Sequence, residues 1–344
     1  MTRTATARRR LATGAAYSGG VGLAGAAAFY ALLREEARSA RRRVEARTSK
    51  DDPPTGDGIY GDTRRNGRGK PLVFTVLGDS SAVGLGAERA EETPGVLIAA
   101  ALAELAERPV RLVRLAVTGA ESKELADQVD RALDEHPDVA LIMIGANDVT
   151  TLTKPAVAVR HLENAVRRLT AAGCEVVVGT CPDLGTIRPI AQPLRTLARR
   201  WSRQMAAAQT IAVVESGGRT VSLGSVLGPA FASDRSMFSV DEFHPSAFGY
   251  AQAAAILLPS VADAVGVWPA PDRSVRPIRR GTVRPVAEAA ARAASRTGTE
   301  VQPAEKRGAD TGPRGPWALL RRRRPTDLPT PEQMEESAEA TPVG

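Results

Sequence analysis

Cysteine, histidine and aromatic side chains are all scarce in this chain of 344 residues, which has two Cys, three His and only 4% Phe, Trp and Tyr. Cys174 and Cys181 bracket the apolar run 175–180. If that run is an extended strand, at about 3.3 Å per residue, its ends stand roughly 20 Å apart, far beyond the ~7 Å span of a disulfide. Two unpaired thiols are therefore expected. No C-x2-C pair accompanies the three histidines, so a zinc site is not indicated, and neither a metal nor an organic cofactor is implied. The pattern G-x-S-x-G is absent, which excludes the nucleophile elbow of the ordinary α/β-hydrolases. With so few aromatics, the core must be built mainly from Val, Leu, Ile and Ala.

The net charge of +7 is unevenly spread. Residues 1–50 carry 11 Lys/Arg against 3 Asp/Glu and residues 270–344 carry 14 against 10, so the stretch between them is acidic. A basic character confined to the tails argues against nucleic acid as a partner and fits a tail lying near a membrane.

Residues Leu11 to Leu33 contain no charged side chain and are flanked by Arg8, Arg9 and Arg10 on one side and Arg34 on the other. About 20 such residues span a bilayer as a helix. An uncleaved anchor is favoured over a cleaved signal peptide because no small-x-small site precedes a polar region, with a soluble Ala-rich helix as the bland alternative. Association with a membrane through residues 1–33, or secretion, is the expected localisation. The flanking arginines are too balanced to orient the segment. Gly20, Gly22 and Gly25 formally match G-x-G-x-x-G, but no strand precedes them and no βαβ unit surrounds them, so no dinucleotide site is inferred.

Residues 34–70 are charged and then rich in Pro, Gly and Asp, as suits a linker. Residues 71–268 should form one domain. Apolar runs at Leu72–Leu77, Val110–Leu115, Val139–Ile144, Val176–Gly179 and Thr220–Leu223 alternate with helical patterns at Pro94–Glu107, Ser122–Glu135, Pro155–Ala172 and Pro193–Val214, and Ser246–Leu258 closes the domain. Strands that are apolar throughout, separated by amphipathic helices, imply an α/β fold with a parallel sheet covered on both faces. Residues 269–344, rich in Pro, Arg, Ala, Thr and Glu, are expected to be disordered.

In such a sheet ligands bind beyond the carboxyl ends of the strands. After the first strand stands Gly78-Asp79-Ser80-Ser81, a serine in a glycine-rich turn, which reads either as an exposed nucleophile or as an ordinary cap. Gly119 follows the second strand and Asn147 the third. Each is a turn former or a neutral donor suited to an oxyanion. Near the end of the domain lies Asp241-Glu242-Phe243-His244-Pro245, where i, i+3 spacing on a tight turn can bring a carboxylate to one imidazole nitrogen and leave the other facing a site. His136 and His161 belong to helical segments, leaving His244 as the loop histidine beside a carboxylate. Segments 182–193 and 228–240 should line the pocket and bring Arg188 and Arg235 with them.

Taken together, the four blocks resemble the SGNH or GDSL family of esterases and lipases, whose Ser, Gly, Asn and His find matches here in order between Gly78 and Pro245. The resemblance implies a flavodoxin-like three-layer α/β/α sandwich with five parallel strands. It further implies Ser80 as nucleophile, His244 as base oriented by Asp241, and an oxyanion hole formed by Ser80, Gly119 and Asn147. In the second block the family often carries an asparagine ahead of the glycine, and Arg114 to Ala116 supply none. The implied activity is cleavage of a small-molecule, lipid or glycan ester through an acyl-enzyme. The alternatives are acyl transfer at the same site, or a catalytically inert, membrane-tethered binding protein.

Overall fold

In the computed structural model, residues 28, 31–49, 51–61, 70–267 and 300–301 are described. Leu72–Gly78 (β2) is an interior strand because its side chains have no polar face to turn to water. Leu72, Phe74 and Val76 enter one buried cluster and Leu77 another. Val110–Arg114 (β3), Val139–Met143 (β4), Glu175–Gly179 (β5) and Arg219–Val221 (β6) join it in the order β3-β2-β4-β5-β6, all parallel. This is the expected five-stranded flavodoxin-like order. Two short antiparallel strands extend it, Gly58–Tyr60 (β1) on β3 and Glu300–Val301 (β7) on β6.

Helices cover both faces, giving three layers. On one face Pro94–Ala106 (α3), Leu223–Ser233 (α8) and Ala247–Ala264 (α9) bury Ile98, Leu102, Leu227, Leu257 and Val261 against Phe74, Leu141 and Val177. On the other Leu125–Asp134 (α4), Pro155–Ala171 (α6) and Leu194–Glu215 (α7) bury Val129, Leu162, Leu169 and Val213 against Leu77, Ile142 and Val178. Pro94 and Pro155 stand at the first helical turn, where a missing N–H costs nothing. Two further short helices, Ser80–Val83 (α2) and Ala146–Thr150 (α5), follow β2 and β4 directly.

The structure departs from the sequence reading in three stretches. Residues 31–45 (α1) are helical and Gly58–Tyr60 is a strand, so part of the segment 34–70 expected as a linker is folded onto the domain. α8 arises where only a pocket loop was expected, its pattern masked by Gly224, Gly228 and Pro229. α9 runs past Pro259 to Ala264 because Val261 and Ala262 are fully buried. Most of the apolar segment 11–33 lies outside the described residues, as does most of the tail 269–344. Among the described residues no helix is long and apolar enough to cross a membrane. Cys174 and Cys181 are both free and buried, and burial pushes the Cys174 thiol up to about 12.

Two buried glutamines hold the rim where these strands end. Gln128 of α4 accepts from Gly78 N (2.7 Å) and donates to Gly78 O (3.0 Å), while Gln209 of α7 accepts from Cys181 N (2.7 Å) and donates to Ile144 O (2.9 Å). Each supplies backbone groups that have left the ladder with the partners that burial demands. Replacing Gln209 by Leu strands two such groups. The expected cost is about 2–5 kcal/mol, seen as a melting temperature lower by roughly 5–15 °C in a thermal denaturation scan.

Candidate active site

The turn after β2 is forced by close packing. Gly78 has φ +132°, and a Cβ there would meet Met143 O at 1.8 Å, so β2 and β4 can end side by side only with glycine at this position. Asp79 then caps α2 by accepting from Ser81 N (2.9 Å), and its own N–H donates to Met143 O (2.9 Å). Ser80 is the first residue of α2 and has no intrahelical acceptor for its N–H, which leaves a donor at the strand end.

The residues 239–244 form a tight loop in which Ser239 N donates to His244 O (2.9 Å) and Glu242 adopts φ +57°. Asp241 lies inside it, and its Oδ1 accepts from Ser239 Oγ (2.8 Å), Phe243 N (2.8 Å) and His244 N (2.9 Å). Its Oδ2 stands 2.7 Å from His244 Nδ1 and 2.9 Å from Thr48 Oγ1. His244 Nε2 in turn is 3.0 Å from Ser80 Oγ. Burial disfavours the charge on Asp241, but the hydrogen bond and charge of His244 and the loop amides outweigh it and hold the carboxyl well below the usual range. An ionised carboxylate is acceptor only, so Nδ1 carries the proton and Nε2 is left to accept from the serine.

Asn147 lies in α5 and donates from Nδ2 to Ala120 O (3.0 Å), which leaves its second amide N–H available. The neighbouring Asp148 accepts from Ser122 N (3.1 Å) and Ser122 Oγ (2.9 Å), so two consecutive residues pin the turn after β3 to the turn after β4. Gly119 stands in that exposed turn with φ +83°, and the turn is tied to β2 by Val117 N donating to Gly78 O (3.1 Å). Ser80, His244 and Asp241 are thus joined by hydrogen bonds. Asn147 is anchored beside the Gly119 turn, and among the described residues Gly119 makes no hydrogen bond to the trio.

A cavity of about 810 Å³, open mouth included, adjoins His244 and is walled largely by apolar side chains, among them Leu184, Ile187, Leu227, Phe231, Phe238 and Phe243. Both segments expected to line a pocket contribute, but Arg188 and Arg235 are not among its walls. The sequence reading missed Gln128 and Gln209, which sit in ordinary helical patterns, and Thr48, which lies in the stretch taken as a linker.

Asp79 contrasts with Asp241. Fully buried and accepting from one backbone amide, it is pushed up to about 6 by desolvation, against the opposing effects of Ser81 N–H and His244. The folded state therefore binds more protons than the unfolded one between roughly pH 4 and 6, and stability falls as pH rises through that window, by on the order of 2–3 kcal/mol. Asp79→Asn keeps the cap and removes the titration. Urea melts at pH 4.5 and 7 should show that drop in the parent chain and a flatter profile in the variant.

The model of the GDSL-like Lipase/Acylhydrolase family matches residues 76–252. A GDSL-like esterase of Mycobacterium tuberculosis is 44% identical over 270 residues, covering 76% of this chain and 82% of that protein. Among solved structures, a catalytic mutant of an acetylxylan esterase from Geobacillus stearothermophilus is 17% identical with a TM-score of 0.43, covering 59% of this chain and 99% of that one. A lipase/acylhydrolase from Enterococcus faecalis is 18% identical with a TM-score of 0.43, covering 56% and 96%. A match from β2 into α9, together with a relative at 44% identity over most of both chains, makes this chain a member of the GDSL-like lipase/acylhydrolase family, an esterase family of the SGNH type.

Proposed function

We propose that this chain is a serine acylhydrolase that cleaves carboxylic esters with an apolar acyl group through a covalent acyl-enzyme. The observation that carries this reading is the continuous hydrogen-bonded path from Asp241 Oδ2 through His244 to Ser80 Oγ, with His244 and the neighbours of Ser80, Asp79 and Ser81, helping to wall an apolar cavity. His244 Nε2 takes the Ser80 proton as Oγ bonds to the ester carbonyl carbon. The carbonyl oxygen becomes an oxyanion, stabilised by the N–H groups of Ser80 and Gly119 and the free amide N–H of Asn147. Collapse breaks the carbon–oxygen bond to the alcohol, which leaves with the proton held by His244. Water then repeats the sequence on the acyl-enzyme, giving up its proton to His244 and releasing the acid and the serine. Asp241 stays ionised throughout and stabilises the imidazolium.

Ser80→Ala should abolish both turnover of an aryl ester and labelling by a fluorophosphonate. Asn147→Ala should retain labelling but lower turnover by about 100-fold, the usual effect of losing one oxyanion donor. Residual turnover at the parental rate in the serine variant would sink the assignment.

The cavity walls favour hydrocarbon over a polar acyl group. For a series of nitrophenyl esters, kcat/KM should rise from acetyl toward medium chains by roughly two- to fourfold per methylene buried. A flat or falling series would remove the apolar acyl site from the reading.

A further inference from the structure

Residues 31–49 and 51–60 cross the rim of the sheet and touch both sides of the site. At one end Glu36 Oε2 accepts from Leu194 N (3.2 Å) at the start of α7, and Ala40 is buried in the cluster that contains Ile187, Ile190 and Phe238. In the middle Arg47 pairs with Glu242 (3.2 Å) and Thr48 Oγ1 reaches Asp241 Oδ2 (2.9 Å). Beyond them Thr118, next to Gly119, donates to Asp52 Oδ1 (2.6 Å), Arg114 Nη1 donates to Pro53 O (3.1 Å), and Arg114 N donates to Asp57 Oδ1 (2.7 Å) before β1 pairs with β3. The stretch is a strap from the first turn of α7, over the loop of Asp241, to the turn of Gly119.

Thr48 has one hydroxyl proton and two acceptors within reach, Val44 O and Asp241 Oδ2, both at 2.9 Å. Val44 O already accepts from Arg47 N (2.9 Å) and Thr48 N (2.9 Å). The carboxylate carries charge and is the stronger acceptor. The proton therefore goes to Asp241 Oδ2, the same oxygen that takes the Nδ1–H of His244.

We propose that the strap completes the active site and that its Thr48 is a positioning residue, whose hydroxyl fixes the plane of the Asp241 carboxylate and shares the oxygen that orients His244. The inference rests on the acylhydrolase reading and deepens it. The other donors to Asp241 all come from residues 239–244, on the opposite oxygen or from the imidazole itself, and so turn with their own loop. Thr48 alone among the described donors ties the carboxylate to a separate element. Sharing Oδ2 also tempers the pull of that oxygen on an imidazolium. Among the described residues, the charged or titratable neighbours of this pair include Asp79 beyond His244, Tyr250 from α9, and the Arg47–Glu242 ion pair at the surface.

The test uses the full chain with Thr48→Val, which keeps the shape and removes the hydroxyl, and Thr48→Ser, which restores it. The expected result for Thr48→Val is a kcat lower by roughly 5- to 20-fold, KM within about twofold, slower fluorophosphonate labelling in parallel, and an acid limb of kcat/KM against pH moved upward by a few tenths of a unit, since a carboxylate with one donor fewer holds an imidazolium more tightly. Thr48→Ser should recover most of the rate and the parental pH profile. Parental kinetics and pH profile in Thr48→Val would overturn the proposal. So would equal losses in the Val and Ser variants, or a loss that follows the melting temperature without any move of the acid limb, because these mark a packing role. If the parent chain itself resists the fluorophosphonate, the nucleophile reading falls first and takes this inference with it, a result distinct from a labelled parent with an indifferent Thr48→Val.

Discussion

A serine hydroxyl and an imidazole nitrogen 164 residues apart in sequence stand 3.0 Å from each other, and nearly every special feature of the rim follows from that separation. The distance holds only if β2 ends against β4 without a side chain between them, which makes Gly78 obligatory. It also requires α9 to approach the same edge. Tyr250 anchors that helix by donating to Leu85 O (2.8 Å), just beyond α2. A side chain fixed by packing and hydrogen bonds on rigid elements needs no reorganisation when it is used, the physical basis of pre-organised sites.

Strands leaving a parallel sheet pose a problem of unmet backbone groups, and this fold solves it with amides in place of ladder partners. Gln128 and Gln209 each offer one donor and one acceptor on a neutral group, so they bind N–H and C=O without importing charge into the core. Asn147 does the same at the surface with a single bond to Ala120 O, and its spare N–H makes it chemically available. The gradient from doubly bonded, buried amides to a singly bonded amide at the rim separates the frame from the part proposed to meet a ligand.

The parallel strands and the order of the site blocks were legible in the sequence because the inner strands β2, β4 and β5 are mostly apolar on both faces, a pattern few other elements produce. The loop of Asp241 and His244 was legible for the same reason of local constraint: three residues of spacing on a turn leave the carboxylate little choice of partner. The strap was not. Residues 34–47 read as the charged start of a linker, since the ties that fold them are one buried alanine and a few polar contacts to residues more than 100 positions away. α8 was hidden by Gly224, Gly228 and Pro229, whose low helix propensity is overridden by burial of Leu223 and Leu227 against the sheet. Gln128 and Gln209 were hidden because polar residues on amphipathic helices usually face water, and their burial depends on strand ends that no local window contains.

Two carboxylates flank one imidazole and are shifted in opposite directions, which shows what decides ionisation here. Asp79 and Asp241 are both shut off from solvent and both feel the charge of His244, so neither exposure nor that charge by itself distinguishes them, but only Asp241 is hydrogen-bonded to the ring. Donor count decides. Asp79 accepts from Ser81 N, whereas Asp241 collects two backbone amides, two hydroxyls and the imidazole. Each donor replaces hydration lost on folding, so the well-supplied carboxylate stays charged and the poorly supplied one is driven toward neutrality. The consequence is directional. In the proposed mechanism an imidazolium formed at His244 would find its firmly charged partner on the Nδ1 side, at the end of the path away from Ser80, where it would orient the ring without competing for the serine proton.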